Sequence, residues 1–262
     1  MKDLIEFLKN EGILETEIGI IAGSGWSKIE DFIAIKKRLK YSEIKGFPIS
    51  KVKGHKGELV YGTISKRNVI LFSGRFHYYE GYSMKEITLP VKILKELQGK
   101  ILVVTNAAGG LNPSFDIGDL MIITDHINLF PENPLRGDPT FPSMLDAYDI
   151  KIIEEIERIA TKKNISIKKG VYVGWQGPSL ETKAEYRFLR IIGADAVGLS
   201  TVPEVIMAKA LGLKVIGFSA ITNMGLGEKI KDVTHDEVLK VAEECAKKAG
   251  EILKEWLEEY FF

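Results

Sequence analysis

The chain has 262 residues, 45% of them hydrophobic, enough to fill the core of one large α/β domain or two small ones. Its 36 Lys and Arg balance 36 Asp and Glu, so no net basic field draws in nucleic acid over long range, and any bound anion must be held locally. The single Cys245, set in an amphipathic pattern, excludes an internal disulfide or a cysteine zinc site and reads as a packed residue in a reducing compartment.

The N-terminal MKDLIEFLKNEG is amphipathic and interrupted by charge, which does not fit an export signal and predicts a helix over 2–10, ending before Gly12. A buried strand is expected at 18–22, running into the glycine turn of IIAGSGW and then a helix. From Phe32 to Phe72 come short strand-like pieces. ELVYGTI and NVILFS, on either side of turn residues Ser65–Asn68, predict antiparallel or mixed sheet. A helix follows over 84–97, and ILVVTNAAGG reads as a buried strand opening into a glycine loop, with strand DLMIITDHI next.

Residues 128–147 hold four prolines and little periodicity, a length of connection that is often functional. Beyond it the pattern predicts helix over 150–163, strand over 170–175, helix over 183–192, strand over 196–199, helix over 204–211 and strand over 215–222. A last helix spans 235–258, with Thr234 and His235 both candidates for its N-terminal turn. Alternating strands and helices without a linker or repeat predict a single α/β domain over 1–262, a central mixed sheet flanked by helices. Apolar runs are too short and glycine-rich to span a bilayer, so a soluble cytoplasmic protein is expected.

Four glycine-containing segments fall where strands run out, the usual ligand position in α/β sheets: IIAGSGW, SGRFHYYEG, TNAAGGLNP and GPSLET. Each alone is also an ordinary turn. Ser24, Arg75, His77 and Ser200 are the donors expected around phosphate. Glu181 accepts and Asn223 both donates and accepts, which suits a neutral heterocycle. Plainer readings stand beside these. Arg75 could be a solvated strand-end charge, His77 part of an aromatic cluster with Phe76, Tyr78 and Tyr79, and Glu181 helix N-terminal chemistry near Lys183. Asn106 and Asn223 could simply bond loop and strand ends, and His55 and His126 could be ordinary histidines. A nicotinamide-dependent oxidoreductase is disfavoured, because GSGWSK lacks the third glycine of the dinucleotide fingerprint and no acidic ribose ligand follows at a suitable strand end.

Taken together, GSG, GHKGELVYG, GRFHYYEGY, VVTNAAGGLNP, DHINL, NPLRG, FPSMLDAYD, GPSLET, GADAVGLSTVPEVI and ITN strongly resemble the trimeric purine nucleoside phosphorylases, in that family's order and spacing over nearly the whole chain. The resemblance implies a homotrimeric pentosyltransferase of purine salvage. Its expected reaction is reversible phosphorolysis of (deoxy)inosine and (deoxy)guanosine, with inorganic phosphate as co-substrate and neither metal nor cofactor.

Carried over by motif, Ser24, His55, Arg75, His77, the Ala107 backbone N–H and Ser200 would bind phosphate. Tyr79, His235, Leu199 and a neighbouring subunit's Phe141 would meet the ribose. Glu181, Asn223 and Leu180 would meet the base, with Asn223, Glu181 and His77 carrying catalysis. Leu180, Leu199, Met224, Trp175 and Gln176 depart from the mammalian pattern, which bears on base packing more than on the reaction. Two alternatives stand. A 5′-methylthioadenosine phosphorylase needs an apolar 5′ pocket and adenine-reading groups, against which stand His235, Glu181 and Asn223. For a non-catalytic nucleoside-binding protein, the phosphate ligands would have no purpose.

Overall fold

In the computed structural model, residues 1–50, 52, 54–226 and 233–260 are described. The apolar run Ile18–Ala22 forms β1, all five residues buried. It lies parallel to β4 (Arg67–Ser73) on one side and to β5 (Ile101–Gly110) on the other, which is why it reads as continuous apolar sequence rather than alternation. β3 (Glu58–Ile64) joins β4 in a hairpin whose two loop residues, Ser65 and Lys66, both have positive φ, the backbone that matches strand twist. β2 (Ala34–Lys40) pairs with β3 and leaves Lys36, Arg38 and Lys40 exposed.

The other half of the sheet closes on itself. β9 (Lys214–Met224) runs parallel to β5 and antiparallel to β6 (Leu120–Asn128), while β6 is parallel to β7 (Ile167–Gly174). β7 then pairs with β8 (Ala196–Gly198), which returns antiparallel to Gly109 and Gly110 of β5. β5 therefore serves two structures. Its first four residues continue the open sheet through β1, and its last two close a five-strand ring.

Helices cover this sheet: α1 (Lys2–Asn10), α2 (Met84–Ile87), α3 (Leu89–Glu96), α4 (Ile150–Lys162), α5 (Lys183–Ile191), α6 (Val202–Ala210) and α7 (His235–Glu259). α4 buries Ile152, Ile153, Ile156, Ile159 and Ala160, one stripe at helical spacing. It packs against the 25-residue α7, where Arg158 and Lys162 pair with Glu255 and Glu259. α7 also lies along β9, buries Cys245, and starts from a capping box in which Thr234 accepts from the Glu237 N–H. Among the described residues no helix is long and apolar enough to cross a membrane.

The α/β class with a mixed sheet flanked by helices is as expected, and three local expectations are corrected. After GSG the chain makes a 3-10 helix, Trp26–Phe32, because the buried Trp26 is drawn inward and its indole N–H donates to the Asn106 carbonyl at 2.8 Å. The helix over 84–97 is two helices, since Pro90 has no N–H to carry the ladder past Thr88. The glycine loop at 109–110 is strand, paired to β8 and β9, and a Cβ at Gly110 would meet the Met224 sulfur at 2.6 Å.

Gly25 has φ +78°, and a Cβ there would lie 2.8 Å from the Leu239 carbonyl oxygen of α7. Gly25→Ala should therefore destabilise the fold by about 1–3 kcal/mol, measured by urea denaturation.

Candidate active site

A cavity of about 580 Å³ opens where β1, β4, β5, β8 and β9 run out. Ser24 enters it from the exit of β1, Arg75, His77 and Tyr79 from the exit of β4, and Asn106 to Gly109 from β5. Val197 to Ser200 come from β8 and its exit, Thr222 and Asn223 from β9, and His235 and Val238 from the first turn of α7.

One wall is cationic. Arg75 is only 1% exposed, and its Nε donates at 3.0 Å to Glu204 in the first turn of α6 while Nη1 donates to the Thr105 carbonyl. Its Nη2 has no partner among the described residues. Next to it the chain leaves β8 through a γ-turn. Thr201 sits at φ 72°, ψ −53°, with the Val202 N–H bonded to the Ser200 carbonyl at 2.8 Å, a strained backbone for a β-branched residue. The Asn106 amide donates to the Thr201 hydroxyl at 2.9 Å and holds that turn.

Three rings stack along the same wall. His55, His77 and Tyr79 have centroids 5.2 and 4.6 Å apart. His77 Nδ1 lies 2.7 Å from a Glu80 oxygen, and the Ser50 hydroxyl donates to the same carboxylate at 2.9 Å. Burial pulls the His77 pKa down against the pull of Glu80. The His55 pKa is pulled down to about 3, because burial and the nearby His77 and Arg75 charges all oppose protonation.

The opposite end is amide and carboxylate. In the β5–β9 register Ala108 faces Ile221 and Gly109 faces Asn223, so Thr222 is an extra residue, a bulge that re-aims Asn223. The Thr222 hydroxyl donates to Asn223 Oδ1 at 3.2 Å. Burial raises the Glu181 pKa. The capping carboxylate of α5 is Glu185, which accepts from the Thr182 N–H at 2.7 Å, so the helix-end task falls to Glu185 and not to Glu181. Tyr186 lines the same end of the cavity as Glu181 and Asn223, close enough for both side chains to act on its hydroxyl.

Of the residues singled out from sequence, Ser24, Arg75, His77, Tyr79, Ala107, Leu180, Glu181, Leu199, Ser200, Asn223 and His235 line this one cavity. His55 stands behind the lining, its Nε2 3.3 Å from the Ser24 hydroxyl. Phe141 is elsewhere, 96% exposed on the proline-rich connection. Arg75 is not a solvated charge. Sequence reading missed Glu204 and Tyr186. An acid alone among the apolar residues of VPEVIMA was a usable signal for Glu204, whereas Tyr186 looks like any aromatic on the buried face of a helix.

The sequence profile of the phosphorylase superfamily matches residues 17–258. Purine nucleoside phosphorylase 1 of Bacillus subtilis (strain 168) is 49% identical over 260 residues, covering 95% of each chain. The chain belongs to the phosphorylase superfamily, among its purine nucleoside phosphorylases. The Bos taurus purine nucleoside phosphorylase is 43% identical, covering 94% of this chain and 90% of its own. The crystal structure of the Schistosoma mansoni purine nucleoside phosphorylase in complex with adenosine superposes with a TM-score of 0.92 at 36% identity, covering 100% of this chain and 97% of that one. The fold is thus shared with that phosphorylase at 36% identity.

Because the folded His55 pKa, about 3, lies below the ordinary 6.5, the unfolded chain takes up that proton first. Its contribution to stability is complete above pH 6.5 and is lost as pH falls toward 3. The stability of His55→Asn, followed by urea denaturation from pH 7.5 to 4.5, should fall less steeply than that of the wild type.

Proposed function

We propose that the chain cleaves the N-glycosidic bond of inosine, guanosine and their 2′-deoxy forms with inorganic phosphate, releasing purine and (deoxy)ribose 1-phosphate. The observation that carries this reading is a single cavity with chemically opposite ends: a buried guanidinium with a nitrogen unpartnered among the described residues at one, and a carboxylate and an amide at the other. The activities named for the Bacillus subtilis and Bos taurus relatives support it.

Phosphate takes the cationic wall, held by Ser24, Arg75, His77, Ser200 and the Ala107 N–H, with His55 buttressing Ser24. Ribose lies between Tyr79, Leu199 and His235, and the base lies over Leu180 against Glu181 and Asn223. Bond cleavage develops positive charge on the ribose and negative charge on the departing purine, and groups that meet those charges accelerate the step. The phosphate dianion is the nucleophile and offsets the ribosyl charge. Asn223 Oδ1 accepts from a purine protonated at N7, a contact that strengthens as charge builds on the base. Glu181 accepts from N1–H, which hypoxanthine and guanine carry and adenine lacks.

The proposed assembly is a homotrimer in the cytoplasm, acting in purine salvage, with the exposed Phe141 reaching over a neighbour's ribose. A second reading, a 5′-methylthioadenosine phosphorylase, draws on Val52, Val233 and Val238, which line the cavity with His235.

Purine release from inosine, guanosine, adenosine and methylthioadenosine, with and without phosphate, separates these readings. Phosphate-dependent release from inosine and guanosine is expected, and release from methylthioadenosine alone would favour the second. Asn223→Ala should lower kcat for inosine by about 100- to 1,000-fold. Glu181→Ala should lower kcat and also raise KM, and wild-type turnover by both variants would overturn the assignment. Light scattering should give three times the 29.3 kDa chain mass, and Phe141→Ala should raise the KM for inosine without changing that mass.

A further inference from the structure

Tyr186 is a buried titratable group to which the scheme above gives no task. It lies on α5, 7% exposed, and lines the base end of the cavity. It shares that end with Glu181 and Asn223, and its hydroxyl is close enough for both the carboxylate and the amide to act on it. Asn223 Oδ1 is itself engaged by the Thr222 hydroxyl. Burial and the Glu181 charge push the Tyr186 pKa up, so the phenol keeps its proton. Room for so large a ring comes from Gly225, just past β9, where a Cβ would meet the ring at 2.6 Å.

We propose that Tyr186 is a third reader of the base, its hydroxyl facing the substituent at C6 of the purine. The inference rests on the reading of the site under Proposed function. N1, C6 and N7 follow one another along one edge of a purine. If Glu181 takes N1 and Asn223 takes N7, the group between those two side chains faces C6, and that group is the Tyr186 hydroxyl. A 6-oxopurine makes the exchange balanced. The tyrosine proton turns to O6, and the Glu181 carboxylate accepts from N1–H. No buried donor or acceptor is stranded. With a 6-aminopurine the hydroxyl can accept from the amino group, but the bare N1 then faces the carboxylate with no proton between them. A site whose buried polar groups are all used by one ligand rejects the analogue that leaves them unpaired. As negative charge spreads onto O6 of the departing base, the tyrosine bond strengthens, so its effect falls on turnover as well as on binding.

The test compares inosine with 6-thioinosine, which keeps N1–H and replaces O6 by sulfur, a poor acceptor. Tyr186→Phe should lower kcat/KM for inosine by about tenfold or more and for 6-thioinosine by less than about threefold. Gly225→Ala, which displaces the ring without removing the hydroxyl, should produce the same selective loss, with thermal melting to confirm that both variants fold. Equal losses on the two substrates would mean that Tyr186 only holds Glu181 and Asn223 in place, and no loss on either would mean that it does not meet the base. Each result overturns the inference while wild-type turnover of inosine leaves the phosphorylase reading intact. Absence of phosphate-dependent release by the wild type would overturn both.

Discussion

The site depends on one charge taken out of water. A buried guanidinium is costly unless its donors are met, and Arg75 is met by one carboxylate, Glu204, and one carbonyl, Thr105. Those partners come from α6 and β5, while Arg75 follows β4, so the pair ties three elements to one point. A fourth closes in at Gly23, where a Cβ would lie 2.8 Å from the Thr105 oxygen and 3.0 Å from Arg75 Nη1. Well-packed apolar residues could hold such a junction about as firmly, which makes the charge itself the feature to explain. One nitrogen of Arg75 and one oxygen of Glu204 remain without partners among the described residues, and of the two side chains Arg75 lines the cavity.

Regular sheet alternates its side chains, and a site needs them to converge. Two departures from regularity do this, on opposite sides of the cavity. The γ-turn at Thr201 redirects the chain after β8 and leaves Ser200 on the wall, and the bulge at Thr222 turns Asn223 inward against Gly109. Each is fastened by a side-chain hydrogen bond, Asn106 donating to the Thr201 hydroxyl and the Thr222 hydroxyl donating to Asn223 Oδ1.

Much of this was legible in the sequence because burial leaves a plain record. β1 and the first half of β5 are covered on both faces, so their residues are apolar without interruption, and the amphipathic stripes of α4 and α7 mark their inner sides. What periodicity does not record is which strands meet. Ring closure rests on residues at the end of β5 that resemble a loop, the glycines at 109 and 110. His77 combines parts of both readings, since it stacks on Tyr79 and His55 rather than on Phe76 or Tyr78 and also lines the cavity. The ambiguity over Glu181 needed coordinates, because only geometry shows that Glu185 caps the helix. Tyr186 stayed hidden for a similar reason: amphipathic spacing says that a side chain points inward, not that it ends beside a carboxylate and an amide.

The ring has a further consequence, for the order of events during synthesis. Ile101 pairs with Lys214, and Leu120 with Ala220, so closure waits for a strand made late. Non-local pairings of this kind carry a loop-closure cost and fold slowly. Until β9 emerges from the ribosome, the inner edge of β5 and the facing edge of β6 are bare, apolar templates for another chain. The nascent protein at that stage already owns Ser24, Arg75 and Ser200 and lacks Asn223, which makes the residues from Lys214 onward decide both whether it works and whether it stays in solution.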